Sequence, residues 1–119
     1  MKNFNIEQRS AQPCHILELE GELDAHTASK LEQALQKLIG QNHIYIVVNF
    51  NRLDYIASAG LGVFMAYIED VRERGGDIKL TDMSDKVYNV FDLLGFPSLY
   101  DITKTEEEAI KKFEVDHNK

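Results

Sequence analysis

The chain has 119 residues, a length that fits one domain, and 44% of them are hydrophobic, which is ordinary for a protein that buries a core. A net charge of −7 without any basic run argues against direct nucleic-acid binding. The N-terminus lacks the apolar core of a signal peptide, and no apolar run approaches the roughly 20 residues that cross a bilayer, so we expect one cytoplasmic domain spanning residues 1–119.

Two segments of alternating polarity at the start of the chain predict a β-hairpin. The first is Phe4 to Gln8, the second is Cys14 to Glu20, and Ser10 to Pro13 is expected to connect them. Cys14 is the only cysteine, which excludes an intrachain disulfide and a multi-cysteine zinc site, and its apolar neighbours favour a buried thiol. His15 has no ligand-like companion nearby and is interpreted as a solvated or packed strand histidine.

The first helix is predicted from apolar residues at helical spacing that run from Ala28 to Ile39. Gly21-Glu22-Leu23-Asp24 is expected to end the preceding strand in a turn, and Gly40 is a plausible helix C-cap. Asp24 or Thr27 is expected to cap the start of the helix. Two interpretations of Asp24 remain equally open: it is a turn and capping residue, or it is a functional residue.

The centre of the chain predicts a strand, a helix and a second strand. The run from Ile44 to Phe50 is too continuously apolar for a half-exposed strand, so we expect it at the centre of the sheet. A helix over roughly Ala59 to Arg74 ends at Gly75-Gly76, and Ile78 to Thr81 is the next strand. This order favours a parallel strand pair.

The remaining elements complete a small mixed sheet. Ser84 is expected to cap a helix that stops before Gly95, and Leu99 to Ile102 is expected to form a short last strand. Thr105 opens a capping box whose acidic residues suit a helix start better than a metal site. We therefore predict an α/β fold with about five strands and about four helices, gathered mainly on one side of the sheet.

Ser58 lies at the most abrupt change along the chain, where the stretch from Leu53 to Gly62 joins the apolar strand to a helix. Its side chain has two interpretations. It either caps the helix, or it carries a phosphate that the unpaired N–H groups and the positive end of the helix dipole would accommodate. Apolar residues at helical spacing follow it: Leu61, Phe64, Met65, Ile68 and Val71.

Catalytic and cofactor chemistry find little support in these residues. A nucleophile elbow needs glycine where Ile56 stands, and no histidine near Ser58 suggests a base. Gly60-Leu61-Gly62 fails both common nucleotide signatures, and the four histidines lack compact metal-ligand spacing. We therefore expect no catalytic residue, no metal and no cofactor, and we favour a binding module that receives a modification.

The ordered motifs resemble the STAS domains of bacterial anti-sigma factor antagonists over nearly the whole chain. They are Gly21-Glu22-Leu23-Asp24 followed by Thr27, a strand ending in Asn49-Phe50, Ser58-Ala59-Gly60-Leu61-Gly62, and Gly75-Gly76 before a strand. The resemblance implies a STAS fold and partner switching. The unmodified antagonist binds an anti-sigma factor that is also a serine kinase of the GHKL type and so frees a sigma factor. Phosphorylation ends that binding, and a PP2C-type phosphatase restores it.

By motif position, Ser58 matches the phosphoacceptor of that family and Asp24 matches the aspartate near it. The implied switch surface comprises Asp24, Thr27, Ala57, Ser58, Ala59, Gly60, Leu61 and Gly62. The family commonly has aspartate before the acceptor and serine or threonine after it, whereas this chain has Ala57 and Ala59. Two other interpretations stay open: a STAS module in a non-sigma signalling scaffold or transporter assembly, and a small-ligand or nucleotide-binding domain with weak hydrolytic activity.

Overall fold

The computed structural model of the chain describes residues 4–117 and contains a five-stranded sheet with helices on both faces. Its strands are β1 (Asn5–Ala11), β2 (Cys14–Leu23), β3 (Tyr45–Ile56), β4 (Asp77–Thr81) and β5 (Ile102–Thr103). Its helices are α1 (Ala28–Gly40), α2 (Ser58–Glu73), α3 (Asp85–Leu93) and α4 (Glu106–His117), and a 3₁₀ turn spans Phe96–Ser98. None of the described helices has the length and apolar character needed to cross a bilayer.

The strands lie in the sheet in chain order, from β1 at one edge to β5 at the other. β1 runs antiparallel to β2, whereas the β2–β3, β3–β4 and β4–β5 pairs are parallel. β3 is therefore the central strand, as its apolar run predicts. Residues 46–50 of this strand are all buried, because helices cover the sheet on both faces.

The two faces of the sheet are covered unequally. α1, α2 and α3 pack on one face, where their buried residues form the main core with apolar side chains such as Leu17, Val48 and Leu80. α4 packs on the other face, where Ala109 and Phe113 join a small cluster built on β2 and β3. The predicted mixed sheet with about four helices mainly on one side is confirmed.

Polar contacts hold α4 to its face of the sheet. Asn49 is buried on β3, and its Nδ2 donates to Glu106 Oε2 at 2.7 Å and to Asp82 Oδ2 at 2.8 Å. Arg9 donates to both Glu106 oxygens at 3.0 and 2.9 Å, which makes a bidentate pair. The capping box predicts the Thr105 cap correctly, since its Oγ1 accepts from the Glu108 N–H at 3.2 Å. The Glu106 side chain, in contrast, does not cap the helix but bonds to Arg9 and Asn49 of the sheet.

Several predicted boundaries are wrong around the polar ends of the strands. β1 continues to Ala11, so Ser10 belongs to a strand and only Gln12 and Pro13 connect the hairpin. β2 continues through Gly21 to Leu23, where the expected turn would have ended it. Gly21 has a φ of +97°, a region that costs glycine little, and the pairing of β2 with β3 shifts register beside it.

Differences at the other elements follow from local hydrogen bonding. Gln41, rather than Gly40, occupies the C-cap position of α1. The last strand is Ile102–Thr103 rather than Leu99 to Ile102, because Leu99 and Tyr100 donate backbone N–H groups to Phe96 O in the preceding turn. The predicted cap of α3 is confirmed, since Ser84 Oγ accepts from the Val87 N–H at 3.2 Å.

Candidate functional site

The candidate site lies where the inner strands β2 and β3 finish side by side at their carboxyl ends. Leu23 pairs with Ile56 in parallel register, and the Ala57 N–H donates to Leu23 O at 2.9 Å. Asp24 and Ala57 directly follow these two residues. The turn that carries Asp24 and the start of α2, which carries Ser58, are therefore neighbours, as expected where parallel strands finish together.

The junction before α2 is much shorter than the sequence predicts. β3 reaches Ile56 and α2 begins at Ser58, so Ala57 alone separates strand from helix. Ala57 occupies the N-cap position with extended backbone, and its side chain has no oxygen that could cap the helix. Ser58 is the first helical residue, which makes its interpretation as the N-cap wrong.

Ser58 presents an accessible hydroxyl at the positive end of α2. The residue is exposed, and its side chain forms no hydrogen bond with any group of residues 4–117. Ala57 O accepts the Gly60 N–H at 2.9 Å, whereas the N–H groups of the first two helical residues have no acceptor within the helix. Such a position favours negative charge on the serine oxygen.

Asp24 and Thr27 close the turn that leads into α1. Asp24 Oδ1 accepts from the backbone N–H groups of His26 at 2.9 Å and Thr27 at 3.2 Å. Thr27 Oγ1 accepts from the Asp24 N–H at 2.9 Å and donates to Glu22 O at 2.9 Å. These contacts make Asp24 a turn residue, and they hold its carboxylate in the loop beside the start of α2.

Two residues of the implied switch surface lie beneath it. Gly60 is buried, and a Cβ there would approach Leu23 Cγ to 2.6 Å, so only glycine lets the first turn of α2 rest on the end of β2. Leu61 is also buried and belongs to the main core. Gly60 and Leu61 therefore support the implied switch surface from below, and their part in partner binding stays a prediction.

The exposed side of α2 is a strip of small and apolar residues. We call it the α2 face and define it by Ser58, Ala59, Gly62, Met65 and Ala66, all of which are exposed. Met65, which the apolar pattern assigns to the core, has 51% of its surface exposed. The spacing of small residues at positions 59, 62 and 66 was the sequence signal for this face, since those positions share one side of a helix.

Other reactive groups do not assemble into a second site. No three metal-ligating side chains cluster among the described residues, and Cys14 is buried. His15 is a packed strand histidine, as the sequence predicts: it is half-buried on β2, and its ring stacks on His43 with centroids 3.9 Å apart. Burial and the nearby His43 lower the pKa of His15, which favours its neutral form.

Comparison with known proteins agrees with this fold. The family model described as STAS domain matches residues 5–109. The chain belongs to the STAS domain family. The anti-sigma-B factor antagonist of Listeria monocytogenes is 30% identical to it over 107 residues, covering 89% of this chain and 94% of the relative.

Two solved structures named SpoIIAA are also similar to this chain. The anti-sigma factor antagonist SpoIIAA in its unphosphorylated form is 27% identical to this chain, with a TM-score of 0.78 and coverage of 94% and 96%. The Bacillus cell fate determinant SpoIIAA in the phosphorylated form is also 27% identical, with a TM-score of 0.70 and coverage of 93% and 99%. The family comprises regulatory binding proteins.

Proposed function

We propose that this chain is an anti-sigma factor antagonist that switches partners through phosphorylation of Ser58. In its unphosphorylated form it binds an anti-sigma factor that is also a GHKL-type serine kinase, and this binding releases a sigma factor in the cytoplasm. A PP2C-type phosphatase reverses the modification. The exposed Ser58 hydroxyl at the first turn of α2 is the observation that carries the proposal, and the names of the similar proteins support it.

The folded domain can accept a phosphate on Ser58 without rearrangement. The residue is exposed, so the added group displaces no packed side chain. The modification adds about −1.5 to −2 charge at pH 7, and the free N–H groups at the start of α2 favour negative charge. Phosphorylation is therefore expected to change what binds this surface while the fold persists.

The same phosphate opposes a docked partner. Ala59, Gly62 and Met65 offer little polar surface, so a partner packed against the α2 face would remove water from the start of the helix. Burying a charge without a partner group costs far more free energy than leaving the charge in water. The Asp24 loop lies beside the site and adds a second negative charge there, which increases the opposition to a docked anionic surface.

Direct phosphorylation tests the proposal. The full chain is incubated with ATP and the cognate GHKL-type anti-sigma kinase, and the modified residue is mapped by mass spectrometry. We expect one phosphate on Ser58 and none in a Ser58→Ala variant. Ser29 is a matched internal control because it is also exposed in the first turn of a helix. Phosphate on Ser29 with Ser58 unmodified would overturn the assignment.

A charge-mimicking variant predicts the consequence for binding. Ser58→Asp is expected to weaken the complex with the anti-sigma factor at least about tenfold, or about 1.4 kcal/mol, because the carboxylate must lose water on docking. Ser29→Asp places the same charge at the start of α1 and is expected to leave the affinity unchanged. Titration calorimetry measures both, and circular dichroism checks that both remain folded. Equal affinities for the wild type and Ser58→Asp would contradict the charge mechanism.

Ala57 supports one alternative, a STAS interaction module in a non-sigma scaffold or transporter assembly. The aspartate that commonly precedes the acceptor is missing, and the neighbouring Asp24 carboxylate is engaged in its own turn. A kinase that reads an acidic residue before the serine would find none here. Pull-down of the wild-type chain from native extract separates the two functions, because recovery of a transporter or scaffold without a kinase favours the module.

A further inference from the structure

We propose that the groove between β1 and α1 binds an extended acidic peptide segment of a partner protein, which adds to the free edge of β1. The groove has a volume of about 350 Å³ and is open to solvent along one side. It lies at the β1 edge of the sheet, on the face covered by α1, and contains none of the residues of the α2 face. We call it the β1–α1 groove.

The floor of the groove is apolar. Phe4 and Leu17 are fully packed beneath it, and Ile6 and Ala34 are half-buried along its sides. An apolar side chain that enters the groove would gain contact with carbon atoms of both β1 and α1. Contact of this kind stabilises a complex by about 25 cal/mol for each Å² of apolar surface removed from water.

Two lysines give the groove a charge opposite to that of the molecule. Lys30 and Lys37 lie on the same side of α1, seven positions apart, which is about 10 Å at 1.5 Å per residue. Both are exposed, and neither ammonium group contacts a carboxylate within residues 4–117. In a chain of net charge −7, two uncompensated cations beside one apolar groove select an acidic ligand.

The adjacent strand edge supplies backbone hydrogen-bonding groups. β1 pairs with β2 on one side, and no strand of residues 4–117 pairs with its other side. Outward N–H and C=O groups at such an edge can bind an added strand, whose alternate side chains then enter pockets on each face of the sheet. The groove is one such pocket because Phe4, Ile6 and Gln8 all line it.

The opposite face of this edge sets the pattern of the peptide. Glu7, Glu18 and Glu20 line a second depression there together with Arg52, which pairs with Glu20. Three carboxylates against one guanidinium leave an excess of negative charge, so acidic side chains pointing to that face would be repelled. Successive side chains of a strand point to opposite faces. The preferred segment therefore carries an apolar residue flanked two positions away on each side by acidic residues, with uncharged or basic residues between them.

The openness of the groove favours a peptide over a small molecule. A drug-sized ligand normally buries 70–90% of its surface in a closed pocket, whereas this groove covers a ligand from one side only. Carboxylates four residues apart in a strand are about 13 Å apart, which two flexible lysine side chains can reach across their 10 Å separation. An extended strand also gains backbone bonds that a small molecule lacks.

A titration with synthetic peptides tests the groove without any kinase. The probe is the blocked peptide Thr-Glu-Thr-Leu-Thr-Glu-Thr, and its control replaces both Glu residues with Gln. We expect amide chemical-shift changes of the full chain to concentrate in β1 and α1, with slower hydrogen exchange of β1 amides. The Gln peptide should bind about three- to tenfold more weakly, since two exposed ion pairs are lost.

Charge variants complete the test. The double variant Lys30→Glu with Lys37→Glu should weaken binding of the acidic peptide by at least the same factor. The double variant Lys30→Gln with Lys37→Gln should weaken this binding to a smaller extent. Lys86→Glu together with Lys111→Glu is the matched control, because these exposed lysines also lack ion pairs. Equal weakening by both Glu pairs, shifts centred on the α2 face, or no difference between the two peptides would each overturn the proposal. Ser58 takes no part in the measurement, so its result is separate from the proposed function.

Discussion

Gly60 and Gly62 are two positions apart in α2 but have opposite surroundings. A Cβ at Gly60 would lie 2.6 Å from Leu23 Cγ and 2.8 Å from Leu23 Cδ2, whereas nothing lies within 4 Å of a Cβ at Gly62. Gly60→Ala is expected to destabilise the fold by about 1–3 kcal/mol, because the helix start or Leu23 must move. Gly62→Ala is expected to stabilise it by about 0.5–1 kcal/mol through helix propensity.

Urea unfolding of the two variants beside the wild type measures both free energies. The pair is its own control, since each variant adds one methyl group to the same helix. Equal stability of the two variants would show that Gly60 has room for a side chain, which would contradict the close approach of α2 to β2.

Cys14 offers a second test at the level of one residue. Burial raises the pKa of its thiol to about 11, so about one molecule in a thousand carries a thiolate near pH 8. An unfolded cysteine has a pKa of about 8.5. We expect a disulfide reagent to react with the native protein at least about 100-fold more slowly than with the urea-unfolded chain. Since the chain has no other cysteine, rapid native reaction would place this thiol at the surface.

Residue roles were predictable where the partner lies nearby in sequence. Ser84 and Thr105 cap helices through N–H groups three residues later, so local patterns identify them. Glu106 fits the same capping pattern, but Arg9 and Asn49 reach it only after β1, β3 and α4 assemble. Met65 fits an apolar helical pattern, yet it is exposed because no element within residues 4–117 covers that side of α2.

At the scale of elements, the length of β3 was the main feature that sequence missed. Asn51, Arg52, Asp54 and Tyr55 are polar or exposed, which is typical of a loop. These residues nevertheless extend β3 past the last residue that pairs with β4, and this extension of β3 pairs only with the end of β2. The apolar part of a strand was therefore predictable from burial, whereas its solvated part was decided by pairing. This extension leaves Ala57 alone between strand and helix.

The cap of α3 gives a prediction at this scale. Ser84→Ala removes the acceptor of the Val87 N–H and is expected to cost about 1 kcal/mol of unfolding free energy. Ser29→Ala is the matched control, because Ser29 is an exposed helical residue whose side chain is not a cap. It should change stability by less than about 0.5 kcal/mol. Chemical denaturation of both variants checks the difference, and a similar loss for both would contradict the assigned cap.

Across the whole molecule, the two faces of the sheet rely on different interactions. α1 to α3 bury a broad apolar core, whereas α4 covers a small cluster and depends on charged contacts. Glu106 binds Arg9 and Asn49, Lys112 reaches Asp101 at 3.4 Å, and the Lys79 ammonium lies 4.6 Å from the Phe113 ring centroid. Apolar packing is insensitive to pH, but these contacts are not.

The pKa shifts give the direction of this dependence. The hydrogen bond from Arg9 lowers the pKa of Glu106, and the hydrogen bond from Lys79 lowers that of Asp101. A carboxyl group whose pKa is lower in the folded than in the unfolded protein stabilises the fold when the pH is above its unfolded pKa. This contribution is lost as the pH falls through its folded pKa. Asp82 acts in the opposite sense, because burial raises its pKa, and its protonation relieves the free-energy cost of burying a charged carboxylate. Glu106 thus favours attachment of α4 near neutral pH, Asp101 does so only through its smaller contribution from Lys112, and Asp82 opposes it because the Glu106 charge adds to the rise in its pKa.

We therefore expect α4 to open before the main core as the pH falls below about 4.5, the ordinary pKa of glutamate. Hydrogen exchange, converted to protection factors, should show larger losses for α4 amides than for α2 amides between about pH 7 and pH 3. Glu106→Gln should lower the opening free energy of α4 by about 1 kcal/mol near pH 7, since it breaks a partly exposed charged pair, and should flatten the acid dependence. Exposed Glu107→Gln, one residue further along α4, should leave both unchanged. Parallel loss of protection in α2 and α4 would instead show that the two faces unfold as one unit.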